Sequence, residues 1–360
     1  MCGSDHELGE NFMTGSKQEV LARSRPTRGG GRRRGGQHAI AWSILPGAFL
    51  SVAALAPAAH AATSPAAASA AATTARIQAL LDNPVSGTVN LPHGTFTVRP
   101  TLLLPQGERI VGHGTTLRVA AGSGNYFAML TGASPTTNLS GLTITGVTFD
   151  QNATGNPIRS VPVLYKGLPR FVVLIIDGSG ITITKNRFIG SDNVNTVVTG
   201  GATSNVTISG NAFQTINAPL HDHSTIYTSG TGTVISNNTL AGQAAYYSAA
   251  IEVHGDKVRV TGNHVSGYFR GANIVASDTR FTGNHISGAA SPVDLWSVAP
   301  TATRNVTVTG NVLNRNLAYW KRVLARLGLG LPPARYTQQV IRDTTSTLSF
   351  HDITVCGNSS

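Results

Sequence analysis

The chain has 360 residues, 40 of them glycine, with 12% charged and 6% aromatic residues and a formal net charge of +11. That length suits one large domain or two ordinary ones, and low charge with abundant Gly, Thr, Asn and Ser excludes a helical bundle and favours short strands joined by tight turns. No basic stripe interleaves with aromatics, which argues against nucleic acid as a partner.

Residues 1–61 read as a targeting segment. Arg32, Arg33 and Arg34 form a basic flank, Ala39 to Ala56 is an apolar run, and Ala59-His60-Ala61 makes a small-x-small site that places cleavage near Ala61. The expected product is a secreted monomer without a membrane anchor. Residues 62–360 hold 20 Lys+Arg against 12 Asp+Glu, a net +8, which suits an acidic polysaccharide or another glycan as partner. Two cysteines are too few for a cysteine metal site.

Residues 62–75, rich in Ala, Ser, Thr and Pro, read as a flexible linker. Arg76 to Asp82 reads as a short helix, apolar at Ile77, Leu80 and Leu81. The strand-like segments Gly87 to Val98 (GTVNLPHGTFTV) and Leu102 to Leu117 (LLLPQGERIVGHGTTL) follow.

From there an eight-residue unit recurs: ITITKNRF at Ile181 to Phe188, VTISGNAF at Val206 to Phe213 and VTVTGNVL at Val306 to Leu313. Its asparagine column is Asn186, Asn211, Asn238, Asn263, Asn284, Asn311 and Asn358, with steps of 25, 27, 25, 21, 27 and 47 residues. A period of this size marks a solenoid. Alternating Val, Ile and Thr put one face of each strand inward. Gly-Asn suits the bend that follows, because both residues tolerate left-handed backbone angles. The asparagines are therefore expected to stack as an internal structural ladder rather than to bind ligand.

The entry segments and the downstream repeats together resemble right-handed parallel β-helix proteins of the pectate-lyase-like superfamily, over roughly residues 76–358. The resemblance implies an all-β, single-stranded right-handed parallel β-helix whose open end is covered by a short N-terminal capping helix, in a domain spanning 76–360. It fixes no activity, because this fold carries polysaccharide lyases, epimerases, glycoside hydrolases and adhesins alike. The polygalacturonase-type residue set and the alginate-epimerase motif are both absent. Within the last stretch, Trp320, Val323, Leu324 and Leu327 fall at helical spacing, so 317–327 reads as an inserted amphipathic helix with Lys321, Arg322 and Arg326 outermost. It is expected either to cover an edge of the solenoid or to form a basic lip over a groove.

The asparagine column also works as a ruler. Tyr227, Glu252 and Asn273 each lie 11 residues before their asparagine, so they share one outward position, which Asp294 continues past a longer turn. His254, two residues after Glu252, takes the next outward position, and Trp296 does so beside Asp294. The loops feeding this face carry His221, Asp222, His223, Tyr246, Tyr268 and Arg270. Such a convergence of groups distant in sequence marks a candidate site. His223, Tyr227, Glu252, His254 and Arg270 are the expected catalytic residues. His221, Asp222, Tyr246, Tyr268, Asn273, Asp294 and Trp296 are the expected substrate-binding residues. In this scheme Arg270 pairs with a substrate carboxylate, His254 or His223 abstracts the neighbouring proton, and Tyr227 protonates the leaving oxygen, as in a lyase or epimerase. A glycoside hydrolase would instead use Glu252 and Asp294, two coils or about 9–10 Å apart. A non-catalytic glycan binder stacking sugars on Tyr246, Tyr268 and Trp296 is a third possibility. A β-helix recruited to a small-molecule reaction, with the helix as lid, is a fourth. No metal or cofactor is expected: nothing in the spacing supplies a third ligand to His221 and His223, and Asp177, Asp222, Glu252 and Asp294 are too scattered for a calcium cluster.

Overall fold

The computed structural model describes residues 65–123, 126, 128–157, 170–191, 195–215, 223–242, 248–297, 303–326, 328, 335–337, 341–345 and 351–359. The expected leader, 1–61, lies outside them. No helix among the described residues is long and apolar enough to cross a membrane.

The described residues form an all-β, right-handed parallel β-helix with one helix before the first strand and one after the last regular coil. Each regular coil contributes two short strands to one 17-stranded sheet, separated by the Gly-Asn bend, and one longer strand to a 10-stranded sheet opposite. Among the described residues all pairings are parallel except the hairpin between Arg335–Thr337 and Ile341–Thr345, and an isolated bridge between Val85 and Thr88. The strand Thr207–Ser209, for example, lies between Thr182–Thr184 and Val234–Ser236 with Ile183, Ile208 and Ile235 in one column. Those three residues are fully buried. Past the bend, Phe149, Phe188 and Phe213 form a second interior column, with ring centroids 5.2 and 4.6 Å apart. Leu240, Val265, Ile286 and Leu313 extend it. Coil-on-coil stacking of apolar side chains replaces the globular core of an ordinary domain.

The bend is held by the asparagines. From Asn211 on, each ladder Asn Oδ1 accepts from both the backbone N–H and the side-chain Nδ2 of the asparagine one coil earlier, while Asn186 Oδ1 accepts from the Val147 N–H. From Asn186 to Asn211 these bonds are 2.9 and 3.2 Å, from Asn211 to Asn238 2.9 and 3.0 Å, and from Asn238 to Asn263 3.0 and 2.9 Å. The series runs on to Asn358. Each Nδ2 also donates to a strand carbonyl, as Asn238 does to Ile208 at 2.9 Å. The left-handed residue is the one before the asparagine: Lys185, Gly210, Asn237, Gly262, Gly283, Gly310 and Gly357 all have φ between 55° and 65°. Glycine dominates there because a side chain strains that conformation.

Helix α1 runs from Pro65 to Asp82 and buries Ala70, Ile77 and Leu81. It begins well before Arg76, so residues 65–75 are not the flexible linker that their composition suggests. An alanine run has the highest helix propensity, and proline is tolerated in a first turn. α1 covers the open end of the stack, and Gln78 does so by imitating a peptide group. Its Oε1 accepts from the Leu103 N–H at 2.8 Å, and its Nε2 donates to the Leu103 carbonyl at 3.1 Å. The edge strand Leu102–Leu103 is thereby paired by a side chain.

Helix α2, Leu317–Arg326, is capped by Asn316, whose Oδ1 accepts from the Tyr319 N–H at 3.0 Å. It packs on the flank of the solenoid rather than over its end. Trp320 and Leu324 are fully buried against Phe269 and Ala290, and Trp320 Nε1 donates to the Gly288 carbonyl at 2.8 Å.

Asn238→Ala is expected to leave the Asn211 N–H and amide without their shared acceptor and the Ile208 carbonyl without its donor. Buried unsatisfied groups cost ~1–3 kcal/mol each, so urea denaturation should show a loss of several kcal/mol. Substitution of the neighbouring exposed Thr239 by alanine should move the midpoint little.

Candidate active site

The 10-stranded sheet presents the face that the asparagine ruler singles out. Tyr227 pairs with Glu252, Glu252 with Asn273, and Asn273 with Asp294, so the expected column is present residue for residue. Arg342 takes the next register position beyond Asp294. In the other direction the column continues through Val198 and Leu174. Those two pack with Ala128 and Tyr227 in a small apolar cluster of their own.

The column is not the floor of an open groove. Tyr227 is 6% exposed, Asn273 4% and Asp294 0%. Its apolar half explains part of this: an outward face carrying Leu174, Val198 and Tyr227 buries itself as a second core.

Two clusters account for the charged groups. In the first, Glu252 Oε1 bonds to His254 Nε2 at 2.8 Å and accepts from Asn273 Nδ2 at 3.3 Å, while Ser224 Oγ donates to Glu252 Oε2. The Tyr227 ring lies against the imidazole with centroids 4.9 Å apart. The side chains of His254 and Glu252 keep 18% and 12% exposure, so this is the part of the column that solvent reaches. Burial pushes the Glu252 carboxyl up, but the hydrogen bond of His254 and its charge when protonated, the Ser224 hydroxyl and the Arg270 charge together hold it below the usual carboxylate range. Asn273 is oriented by the same carboxylate: its amide N–H must face Glu252, which leaves its Oδ1 buried without a partner.

In the second cluster, Arg270 Nε donates to Asp294 Oδ2 at 2.9 Å, with side chains 7% and 0% exposed, and Ser291 Oγ donates to Asp294 Oδ1. Arg270 also lies 5.7 Å above the Phe269 ring centroid. The guanidinium expected to bind a substrate carboxylate is thus committed to an internal one. Asp294, expected at the substrate, is enclosed with it.

Tyr268 is also placed differently from the sequence expectation. It is fully buried inside the solenoid, with its hydroxyl 2.7 Å from Thr225 Oγ1. Strict alternation fails locally: Thr225 meets Tyr268 in the interior and Ile226 joins the core, whereas Ser224 and Tyr227 on either side belong to the column's face. Gly271 makes the equivalent turn two coils later. A Cβ there would sit 2.5 Å from both Ile286 Cγ2 and the Pro292 carbonyl oxygen, so Arg270 turns outward while Ala272 enters the core.

His223 pairs with Ser248 and Trp296 with Thr344 in backbone register, but the side chains of His223 and Trp296 lie outside the description. His221, Asp222 and Tyr246 lie outside the described residues altogether. Among the described residues no three of His, Cys, Asp and Glu come together as a metal site. Sequence reasoning missed Ser224 and Ser291. The signal was available: each lies three residues before a column position, Tyr227 and Asp294 respectively, on coils whose register the asparagines already set.

No family model matches the chain, and no curated protein does. Among solved structures, the chain is similar to the tailspike protein of E. coli bacteriophage HK620. One mutant form, in complex with a pentasaccharide, matches with a TM-score of 0.57 at 18% identity, covering 68% of this chain and 47% of that chain. A second mutant form matches at 0.56 and 16% identity over 78% and 51%. A third, in complex with a hexasaccharide, matches at 0.55 and 16% over 77% and 52%. The chain thus spans about half the length of the tailspikes it matches, and the likeness is one of fold.

Asp294→Ala is expected to destabilise by ~3–5 kcal/mol, because it strands a buried guanidinium. The paired change Arg270→Met with Asp294→Leu should recover most of that loss in chemical denaturation. Glu252 has the opposite signature, read by pH. A carboxyl lowered in the native state contributes stability above its unfolded value, about 4.3, and loses it as pH falls through the native value. The stability gap between the parent and Glu252→Gln should therefore narrow on acidification from pH 7 to 3.

Proposed function

We propose that this chain is a carbohydrate-active β-helix enzyme that acts on an acidic polysaccharide by proton transfer, with His254 as the base and Glu252 as its positioning partner. The observation that carries the reading is the 2.8 Å bond between Glu252 Oε1 and His254 Nε2. An ionised carboxylate on Nε2 makes that nitrogen the N–H and leaves the Nδ1 lone pair of a neutral imidazole as the acceptor. The geometry is that of a base held by a third group.

In the lyase form, Nδ1 takes the proton from the carbon next to the substrate carboxylate. The C–H electron pair becomes the new carbon–carbon double bond, and the glycosidic C–O bond breaks toward the leaving oxygen. Glu252 stabilises the imidazolium that forms, and Tyr227, packed on the imidazole, supplies the proton that the leaving oxygen takes up. In the epimerase form, the carbanion is reprotonated on the opposite face and no bond to the next sugar breaks. Arg270 has no free role here, since Asp294 holds it. It acts on the site through its charge on Glu252.

A two-carboxylate hydrolase fits the same side chains less well. Glu252 is held ionised and Asp294 is enclosed with Arg270, so neither is poised as a general acid. The basic balance of the chain favours an acidic glycan. Oligosaccharide complexes of tailspikes built on this fold support a saccharide as ligand. The reading includes export, with removal of the leader near Ala61, and action as a monomer without cofactor.

The test is turnover of alginate, pectate and glycosaminoglycans, followed both by absorbance of the unsaturated product and by reducing ends. His254→Ala should lower the elimination rate by ~10²–10⁴-fold while circular dichroism stays unchanged. Reducing ends without absorbance would replace elimination by hydrolysis. Binding without either signal would make the chain a glycan-binding module.

A further inference from the structure

We propose that the outer face of α2 is a docking surface for an anionic glycan. Arg322, Arg326 and Lys321 would take its carboxylate or sulfate groups, and Tyr319 would stack on a sugar ring. The inference rests on the acidic-glycan reading above and assigns the substrate's charge to a place in the fold.

The inner face of α2 is fully used by Trp320 and Leu324. On the other side Lys321, Arg322 and Arg326 are exposed, and none of them joins an ion pair among the described residues. The helix, LAYWKRVLAR, contains no acidic residue. Arg322 and Arg326 stand at i and i+4, where like charges repel on a helix surface. An anion bridging them would turn that repulsion into attraction, with the bidentate geometry that arginine offers a carboxylate. Tyr319 lies one turn before Arg322 on the same stripe. It is half-buried, and its ring is steadied edge-on against Trp320 with centroids 5.4 Å apart. An aromatic face flanked by guanidinium groups suits a charged pyranose.

The position of the helix fits the proposed chemistry. Trp320 meets Phe269 edge-on at 5.2 Å, and Phe269 directly precedes Arg270 of the site column. The column's own guanidinium is neutralised by Asp294, so a polyanion finds free positive charge beside the site, on α2. A second exposed cationic group, Arg259, Arg280 and Arg304 on the 17-stranded sheet with Lys257 in the turn before it, serves less well. Asp256 and Asp278 lie among those cations, and the aromatic ring on their strands, Phe281, is buried in the core.

Native affinity electrophoresis of the full chain through gels containing polygalacturonate, alginate or dextran tests the proposal. Lys321→Ser/Arg322→Ser/Arg326→Ser is compared with Lys257→Ser/Arg259→Ser/Arg280→Ser, which loses the same net charge, and thermal melting verifies that both fold. The α2 triple variant should lose at least tenfold in polyuronate affinity, the sheet variant less than threefold, and dextran should retard neither. Tyr319→Ala should weaken polyuronate binding by a smaller factor. Equal losses in the two triple variants would reduce the effect to net charge and overturn the proposal, as would unchanged binding by the α2 variant. Catalysis is scored apart: retention that depends on α2 without any turnover upholds docking and sinks the enzyme reading, whereas turnover with α2-independent binding does the reverse.

Discussion

A chain that bends sharply at the same point in every coil must satisfy the backbone groups it turns inward, and the asparagine ladder does this from Asn186 to Asn358. Each interior amide carries four bonds: it accepts two from the previous rung, donates one to the next and donates one to a strand carbonyl. The geometry closes only when the asparagines superpose, so the ladder fixes the register of the coils as well as their bend. Insertions between rungs, which vary the period from 21 to 27 residues over the regular coils, are thereby confined to the loops. The register set at this corner is inherited by the opposite sheet, where Tyr227, Glu252, Asn273 and Asp294 come into line. The site is a consequence of a hydrogen-bond network that does not touch it.

Within that line the charges divide by depth. Arg270 and Asp294 are desolvated together and cancel, a pairing whose net worth to stability is small but whose disruption is costly. Glu252 keeps its charge because His254, Ser224 and Arg270 all favour the ionised form. The result is an asymmetric column, sealed at one end and solvent-touching at His254. Among the described residues of the column, the Glu252–His254 position is the one where solvent reaches a side chain able to exchange a proton.

The fold and the ladder were legible because both rest on periodicity, which sequence carries directly: one asparagine per coil suffices to align residues 25 apart. Tyr268 was not legible. Its direction depends on the break in alternation before Tyr227 and at Gly271, and that break is a property of how turns enter the strand. The closure of the column was not legible either. An outward register position and an exposed one are the same in sequence, and only packing over the face separates them. The start of α1 was misjudged for a related reason. Composition described residues 65–75 as linker, whereas helix propensity and anchoring at Thr74, whose hydroxyl accepts from the Arg99 N–H at 2.7 Å, make them helix.

Gln78 gives the stack a direction. Every interior coil offers its neighbour the same hydrogen-bonding edge, so nothing within the repeat itself says where to stop. A single glutamine, held on a helix at the height of the next strand, answers both the N–H and the carbonyl of Leu103 and leaves that end no further coil to recruit. Length in such a molecule is thus set at its boundary. Coils can be gained or lost in the middle while the terminus stays the same, and the chain can lengthen over generations without learning again how to end.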